Sequence, residues 1–248
     1  MADNIIAVRT KKTIYREGNT AVKVFEKDFA KYDVLNEALN QARVENIGIN
    51  VPKVIEVKTI DGKWAIVSEF IEGKTLAQLM KEDPGKSEKY LDMFVELQLK
   101  VMNSKCPMLN RLKDKMNRKI DEAEIDATLR YDLHTRLESM PKHRKVCHGD
   151  FNPSNIIVKD NGTPYILDWS HVTQGNASAD AARTYMLFRL NNEDVMAEEY
   201  LDLYCEKSGT EKQYVQQWMP IVAASQSVKG KPEEREFLMS WINVVEYD

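Results

Sequence analysis

The feature that most constrains this chain is a change in the spacing of its apolar residues near Gly73. Before it, short β-branched and aromatic runs alternate with turn signals; after it, apolar side chains recur at helical spacing. Thr13–Tyr15 and Ala21–Phe25 flank Gly18-Asn19 and predict a hairpin. Val54–Val57 and Trp64–Val67 flank Asp61-Gly62, a dipeptide suited to a type I′ turn, and predict a second. Between them, residues 28–46 place Val34, Leu35, Ala38, Leu39 and Ala42 on a helical face closed by Gly48 and Pro52. Beyond Gly73, helices are predicted over 75–82, 87–103, 110–124 and 126–139. A strand-like island, Ile156–Val158 and Tyr165–Leu167, interrupts this half, and four more helices follow, one ending at Gly209 and one starting near Pro232. The expected class is α+β, with a β-rich part over residues 1–72 and a larger helical part over 73–248.

Composition removes several functions. Lys plus Arg number 35 against 39 Asp plus Glu, a formal charge of -4, which gives no overall attraction to nucleic acid or anionic membranes. The basic clusters at Arg111–Lys119 and Lys142–Lys145 lack interleaved aromatics that could stack on bases, so no nucleic-acid partner is expected. No apolar run is long enough to span a bilayer, and the start, with Arg9, Lys11 and Lys12 after a short apolar run, is unlike a signal peptide. Cys106, Cys147 and Cys205 form no CxxC pair, so neither a disulfide framework nor a zinc site is suggested. The expected setting is cytoplasmic and reducing; the sequence sets no oligomeric state.

The stretch that carries chemistry is His148-Gly149-Asp150, then Asn155, then Ile166-Leu167-Asp168-Trp169. A two-residue turn at Asn161-Gly162 would place Asn155 directly opposite Asp168. Opposed side chains on one sheet face start roughly 5 Å apart, close enough for an amide oxygen and a carboxylate to share a cation. Oxygen donors of this kind suit Mg²⁺, which takes few protein ligands and keeps its other positions for water and phosphate. Asp150, five residues before Asn155, is placed as a base that orients an incoming hydroxyl.

This HGDxxxxN segment followed by ILDW resembles the catalytic and metal-binding loops of the aminoglycoside phosphotransferase family, itself similar to choline kinases and more distantly to protein kinases. The resemblance implies a two-lobed protein-kinase-like fold, with a small β-rich N-terminal lobe and a larger helical C-terminal lobe. It implies Asp150 as catalytic base, Asn155 and Asp168 as Mg²⁺ ligands, His148 as support for the catalytic loop, and Asp180–Arg183 as the segment after the metal loop. It further implies ATP or GTP as co-substrate and a small-molecule acceptor.

The first lobe can be matched to the same pattern. Lys23 lies on the strand face opposite Val22 and Val24, where an ammonium needs a partner or an exit to water. Glu37, fourteen residues on in the predicted helix, resembles the kinase glutamate that pairs with a strand lysine to hold nucleotide phosphates. Glu69-Phe70-Ile71-Glu72-Gly73 resembles the hinge, with main-chain groups of Glu69 and Ile71 reading an adenine edge. Two departures stand out. Arg9-Thr10-Lys11-Lys12-Thr13 has no glycine where protein kinases have a Gly-rich loop, leaving lysine side chains to cover phosphates. Asn152 stands where protein kinases carry a lysine, which favours the small-molecule branch.

Asp194, Glu198, Asp202 and Glu206 repeat every four residues in a segment, 191–206, without Lys or Arg. In the family resembled, helices after the metal loop wall the acceptor pocket, which makes Glu198 and Asp202 expected contacts for a cationic acceptor such as an aminoglycoside or amino alcohol. The competing readings are a nucleotide-binding regulatory module with little turnover and, more distantly, a protein kinase.

Overall fold

The computed structural model describes residues 4–9 and 11–243; Thr10 of the glycine-free loop lies outside the described residues. In chain order the elements are β1 (Ile5–Arg9), β2 (Lys12–Glu17), β3 (Thr20–Phe25), α1 (Lys31–Val44), β4 (Val54–Ile60), β5 (Lys63–Glu69), β6 (Lys74–Thr75) and α2 (Leu76–Glu82). Next come α3 (Ser87–Asn103), α4 (Leu112–Glu122), α5 (Ala127–Ser139), β7 (Lys145–Cys147), β8 (Ile156–Val158), β9 (Pro164–Ile166) and β10 (Thr173–Gly175). The chain continues through α6 (Ala177–Leu190), α7 (Asp194–Ser208), α8 (Lys212–Gln216), α9 (Met219–Ser227) and α10 (Pro232–Ile242).

The chain divides into two compact units. The first holds the described residues up to Tyr90 together with Pro153–His171. Its five-stranded antiparallel sheet runs β1-β2-β3-β5-β4. Asp61 and Gly62 both take positive φ, as a type I′ turn between β4 and β5 requires. Val34 and Ala38 of α1 pack on Phe25 and Ile66 on one sheet face, while Val22, Ala65 and Val67 fill the other.

The sequence reading put the boundary near Gly73, whereas the compact unit continues past it and takes in the β8–β9 hairpin. The reason is local pairing. Lys74 and Thr75 pair with Val158 and Ile157, and Gly73, at φ 155°, approaches so closely that a Cβ would stand 2.4 Å from the Val158 carbonyl oxygen. Thr75 then caps α2 through a capping box with Gln78.

The β8–β9 register differs by one residue from the expected one. Ile156 pairs with Ile166 and Val158 with Pro164, so Asn155 stands opposite Leu167, whose amide donates to the Asn155 carbonyl at 2.8 Å. The two-residue turn does not form; Asp160, Asn161 and Gly162 make a three-residue loop instead. Asn161 Oδ1 accepts the Thr163 amide at 3.0 Å, and Gly162 takes the left-handed conformation at φ 83° that closes such a loop with a bulge.

The second unit is Leu91–Asn152 with the described residues from Val172 onward. Its core gathers Phe94 of α3, Phe151, Phe188 of α6 and Tyr200 of α7, with ring centroids 4.8 to 5.8 Å from Phe94. The two-stranded β7–β10 sheet was not expected, because three-residue strands carry no readable period. Among the described residues five helices follow the metal-loop hairpin rather than four. Pro220 lies in the first turn of α9, where its missing amide starts a new helix instead of extending α8. No described helix is long and apolar enough to cross a membrane.

Candidate active site

In the first unit, strand register builds a charged cluster. Lys23 pairs across the sheet with Ile14 and Ile66, on the face that also carries Phe25 and receives α1. Glu37, one helical turn after Val34, therefore meets it: Lys23 Nζ lies 2.5 Å from Glu37 Oε1. The same ammonium is 3.7 Å from Asp168 Oδ1. Burial alone would lower the Lys23 pKa, but Glu37 and Asp168 hold it above its ordinary value.

Asp168 follows the end of β9 and takes φ 56°, a left-handed conformation that a short carboxylate side chain tolerates better than most. The 3₁₀ turn Trp169–His171 packs on α1, and the conformation is fixed from both sides. Ser170 Oγ donates to Asp168 Oδ1 at 2.9 Å, and Asn40 Nδ2 of α1 donates to the Ser170 carbonyl at 3.3 Å. Burial pushes the Asp168 carboxyl up, yet Lys23, Lys12 and the Ser170 hydroxyl outweigh it and hold the group well below the usual carboxylate range.

Among the described residues no three His, Cys, Asp or Glu side chains form a metal cluster. A carboxylate kept ionised, with one hydroxyl hydrogen bond and lone pairs to spare, is nonetheless the donor that Mg²⁺ uses when phosphate supplies most of its shell. Asp168 fits that description, and the Asn155 carbonyl is bonded to the amide of Leu167, the residue before Asp168.

At the hinge segment, the Glu69 amide donates to the Lys53 carbonyl at 2.9 Å, whereas the Lys53 amide turns to the Glu69 side chain, Oε2, at 3.1 Å. The neighbouring Phe70 amide is taken by Asn19. Ile71 lies between the end of β5 and Gly73, outside any helix or strand.

In the second unit, the segment His148–Asn152 is tied to α6. Asp180 accepts the His148 amide on Oδ2 at 3.0 Å and the Gly149 amide on Oδ1 at 2.7 Å. His148 is fully buried, and its Nδ1 accepts the Asp150 amide at 3.2 Å. Thr184 Oγ1 donates to the Phe151 carbonyl at 3.0 Å, backed by Gln98 and Tyr200. Arg183, one turn after Asp180, reaches Asp150 Oδ1 at 3.9 Å while bonding Gln226, which in turn bonds Glu234. The Asp150 carboxylate is about a quarter exposed, so its loop is rigid while its oxygens reach solvent.

Glu198 and Asp202 are not brought to Asp150. Lys212 Nζ binds both, at 2.9 and 2.7 Å, and the Tyr185 hydroxyl donates to Glu198 at 2.6 Å. Hydrogen bonds from Tyr185 and Lys212 hold the Glu198 pKa below the usual range. Tyr185 projects roughly 160° around α6 from Arg183, so it holds Glu198 on the side of α6 opposite the one that meets Asp150, and all four acidic residues of the stripe are exposed. The counter-ion was missed because Lys212 lies beyond the segment whose charges were read.

Cys147 is buried, and burial pushes its thiol well above the ordinary value, the setting of a structural rather than a reactive cysteine. Two contributors, Asn40 and Ser170, were missing from the sequence reading, which had taken Lys12 only as one of the loop lysines left to cover phosphates and not as a neighbour of Glu37 and Asp168. Alternation along β2 was the available signal for Lys12, since it lies two residues before Ile14, the partner of Lys23.

Residues 8–215 match the model of a family described as the phosphotransferase enzyme family. No curated protein sequence matches the chain at a significant level. Among solved structures, a thermostable mutant of aminoglycoside phosphotransferase APH(4)-Ia, in ternary complex with AMP-PNP and hygromycin B, is similar with TM-score 0.69 at 14% identity, covering 97% of this chain and 90% of that one. An aminoglycoside-3'-phosphotransferase of type VIII gives 0.65 at 16%, covering 90% and 93%. The choline kinase LicA from Streptococcus pneumoniae gives 0.62 at 15%, covering 97% and 94%. The kinase-like fold expected from the sequence is thus the fold found.

Proposed function

The chain belongs to the phosphotransferase enzyme family, and we propose that it transfers the γ-phosphate of ATP to a hydroxyl of a small molecule. The observation that carries this reading is the Lys23–Glu37–Asp168 cluster, a buried lysine bridging a helix carboxylate and a loop carboxylate kept ionised. A triphosphate needs such a lysine, and its metal needs such a carboxylate. Asn155 and Asp168 would hold Mg²⁺, which would supply positive charge to offset that of the phosphates. Main-chain groups of Glu69 and Ile71 would take the adenine edge.

Asp150 acts on the acceptor. Its carboxylate accepts a hydrogen bond from the incoming hydroxyl and aims the oxygen at the γ-phosphorus. As the new O–P bond forms, the bond to the β–γ bridging oxygen breaks, ADP leaves, and the hydroxyl proton passes to Asp150. His148, Asp180 and Thr184 keep the loop in place for that step. A pure nucleotide-binding module would have no use for a base held this way, which favours turnover over mere binding.

All three similar proteins carry acceptor names, aminoglycosides in two and choline in the third, and both acceptor classes are cationic. A hydroxylated ammonium compound is accordingly the acceptor class we infer, with contacts other than Glu198 and Asp202 at its cationic end. The test is a coupled assay of nucleoside diphosphate release with ATP, and separately GTP, across amino alcohols, aminoglycosides and neutral sugars. Acceptor-stimulated ADP release by an ammonium alcohol is expected; stimulation by neutral sugars alone would remove the cationic class, and preference for GTP would replace ATP.

A further inference from the structure

Lys11, in the turn before β2, and Lys12, the first residue of the strand, point in different directions. Lys11 turns outward and pairs with Asp28 at 2.8 Å, both side chains being more than half exposed. Lys12 pairs with Phe25 across the β2–β3 ladder, two positions from the Ile14–Lys23 pair, and so shares the face of Lys23. Its Nζ lies 3.7 Å from Glu37 Oε2 and 3.6 Å from Asp168 Oδ2, with the side chain only 21% exposed. Each carboxylate therefore faces both ammonium groups, Lys23 on one oxygen and Lys12 on the other.

The two lysines are not equivalent. Lys23 is joined to Glu37 by a short hydrogen bond of 2.5 Å, whereas both Lys12 distances exceed hydrogen-bond length and leave it as an electrostatic neighbour. It can change partners without breaking a hydrogen bond to either carboxylate.

From this arrangement the geometry points to Lys12 as a second phosphate-binding lysine, which serves as counter-ion to Asp168 until nucleotide arrives and then passes to its phosphates. The inference rests on the reading of Asp168 as metal ligand given above and extends it. An ammonium beside Asp168 repels a bare divalent cation arriving at the same carboxylate. Once triphosphate accompanies the metal, the same ammonium finds anionic oxygens and gains by staying. The segment joining β1 to β2 has no glycine, so close backbone approach to phosphate is disfavoured there. Lys12 supplies from a side chain the positive charge that backbone amides would otherwise give.

The experiment titrates Lys12→Met with Mn²⁺ alone, followed by electron paramagnetic resonance, and with Mg·ATP and AMP, followed by calorimetry. Mg·ATP affinity is expected to fall about tenfold or more, the scale of one charge-assisted hydrogen bond lost. Mn²⁺ affinity without nucleotide should rise, because a competing cation has been removed, and AMP affinity should stay as in the wild type. Lys12→Arg should restore most of the Mg·ATP affinity, and Lys11→Met should alter none of the three. Opposite signs for bare metal and metal–nucleotide are the signature of this role. A fall in both would mark Lys12 as a structural support, and no change in either as a bystander; each overturns the inference. Wild-type protein that binds no Mg·ATP would instead overturn the reading of the site, and Lys12 with it.

Discussion

The Gly149 amide donates to Asp180 Oδ1 at 2.7 Å, which ties the residue before the proposed base to the first turn of α6. The other oxygen of the same carboxylate takes the His148 amide. Burial pushes the Asp180 pKa up, while His148 and the two amides pull the other way. Asp180→Ala leaves the buried His148 amide without its acceptor, a cost of about 1–3 kcal/mol, and the part-buried Gly149 amide at a smaller one. Asp180→Asn keeps one acceptor oxygen. The expected outcome in thermal unfolding is a large drop for Ala and a smaller one for Asn. In kinetics, kcat should fall in both while Mg·ATP affinity stays near wild type, and Asn should recover part of the loss. Equal loss of nucleotide affinity would show that Asp180 supports more than the loop.

Lys23→Met should raise the nucleotide KM and lower turnover. Because Lys12 remains near Glu37, the buried carboxylate keeps a counter-ion and the melting temperature should fall only modestly. A double-mutant cycle with Glu37→Gln, read on Mg·ATP binding, should give a coupling of roughly 1 kcal/mol or more. Additive effects would mean the two residues act separately.

Lys115 offers a test of electrostatics by pH. Burial first, and then the nearby Arg183 charge, bring its pKa down to about 8. Between that value and the ordinary lysine value near 10.4, the unfolded chain holds a proton that the folded chain has released, so this group adds stability as pH rises. Below pH 8 the folded protein carries this half-buried charge at a cost. Lys115→Met is expected to be more stable than wild type at pH 7, by about 2 kcal/mol, with the advantage shrinking through pH 8 to 10. A stability difference independent of pH would contradict the shift.

Glu198→Gln combined with Asp202→Asn removes both partners of Lys212. The structure predicts a small loss of stability, about 1 kcal/mol or less as for exposed ion pairs, and an unchanged acceptor KM at low and high salt. A salt-sensitive rise in acceptor KM would return these residues to the acceptor site.

Much of this was legible in the sequence, for identifiable reasons. Both hairpins of the first sheet announce themselves because Gly18-Asn19 and Asp61-Gly62 are turn formers set between apolar runs. Lys23 stood out because a charge in an alternating strand needs a partner or an exit, and Glu37 was matched to it through the resemblance to kinases. The β8–β9 register was off by one because turn length depends on Asp160 joining the loop, and nothing in Asn161-Gly162 alone sets that. The partners of Asp150 and Asp168 were less visible. Asn40, Ser170 and Arg183 act through contacts distant in sequence or through backbone carbonyls, which no local pattern encodes. The pairing of the acidic stripe was not legible because its counter-ion, Lys212, comes from a different helix.

The most direct test of the account is acceptor-stimulated ADP release by Asp150→Asn, measured on protein shown by calorimetry to bind Mg·ATP. Asparagine keeps the shape and the backbone bond to His148 but cannot take the hydroxyl proton. Turnover is predicted to fall by roughly 10² or more with Mg·ATP affinity retained. Turnover equal to wild type would contradict the assignment of Asp150 as the base and, with it, the mechanism.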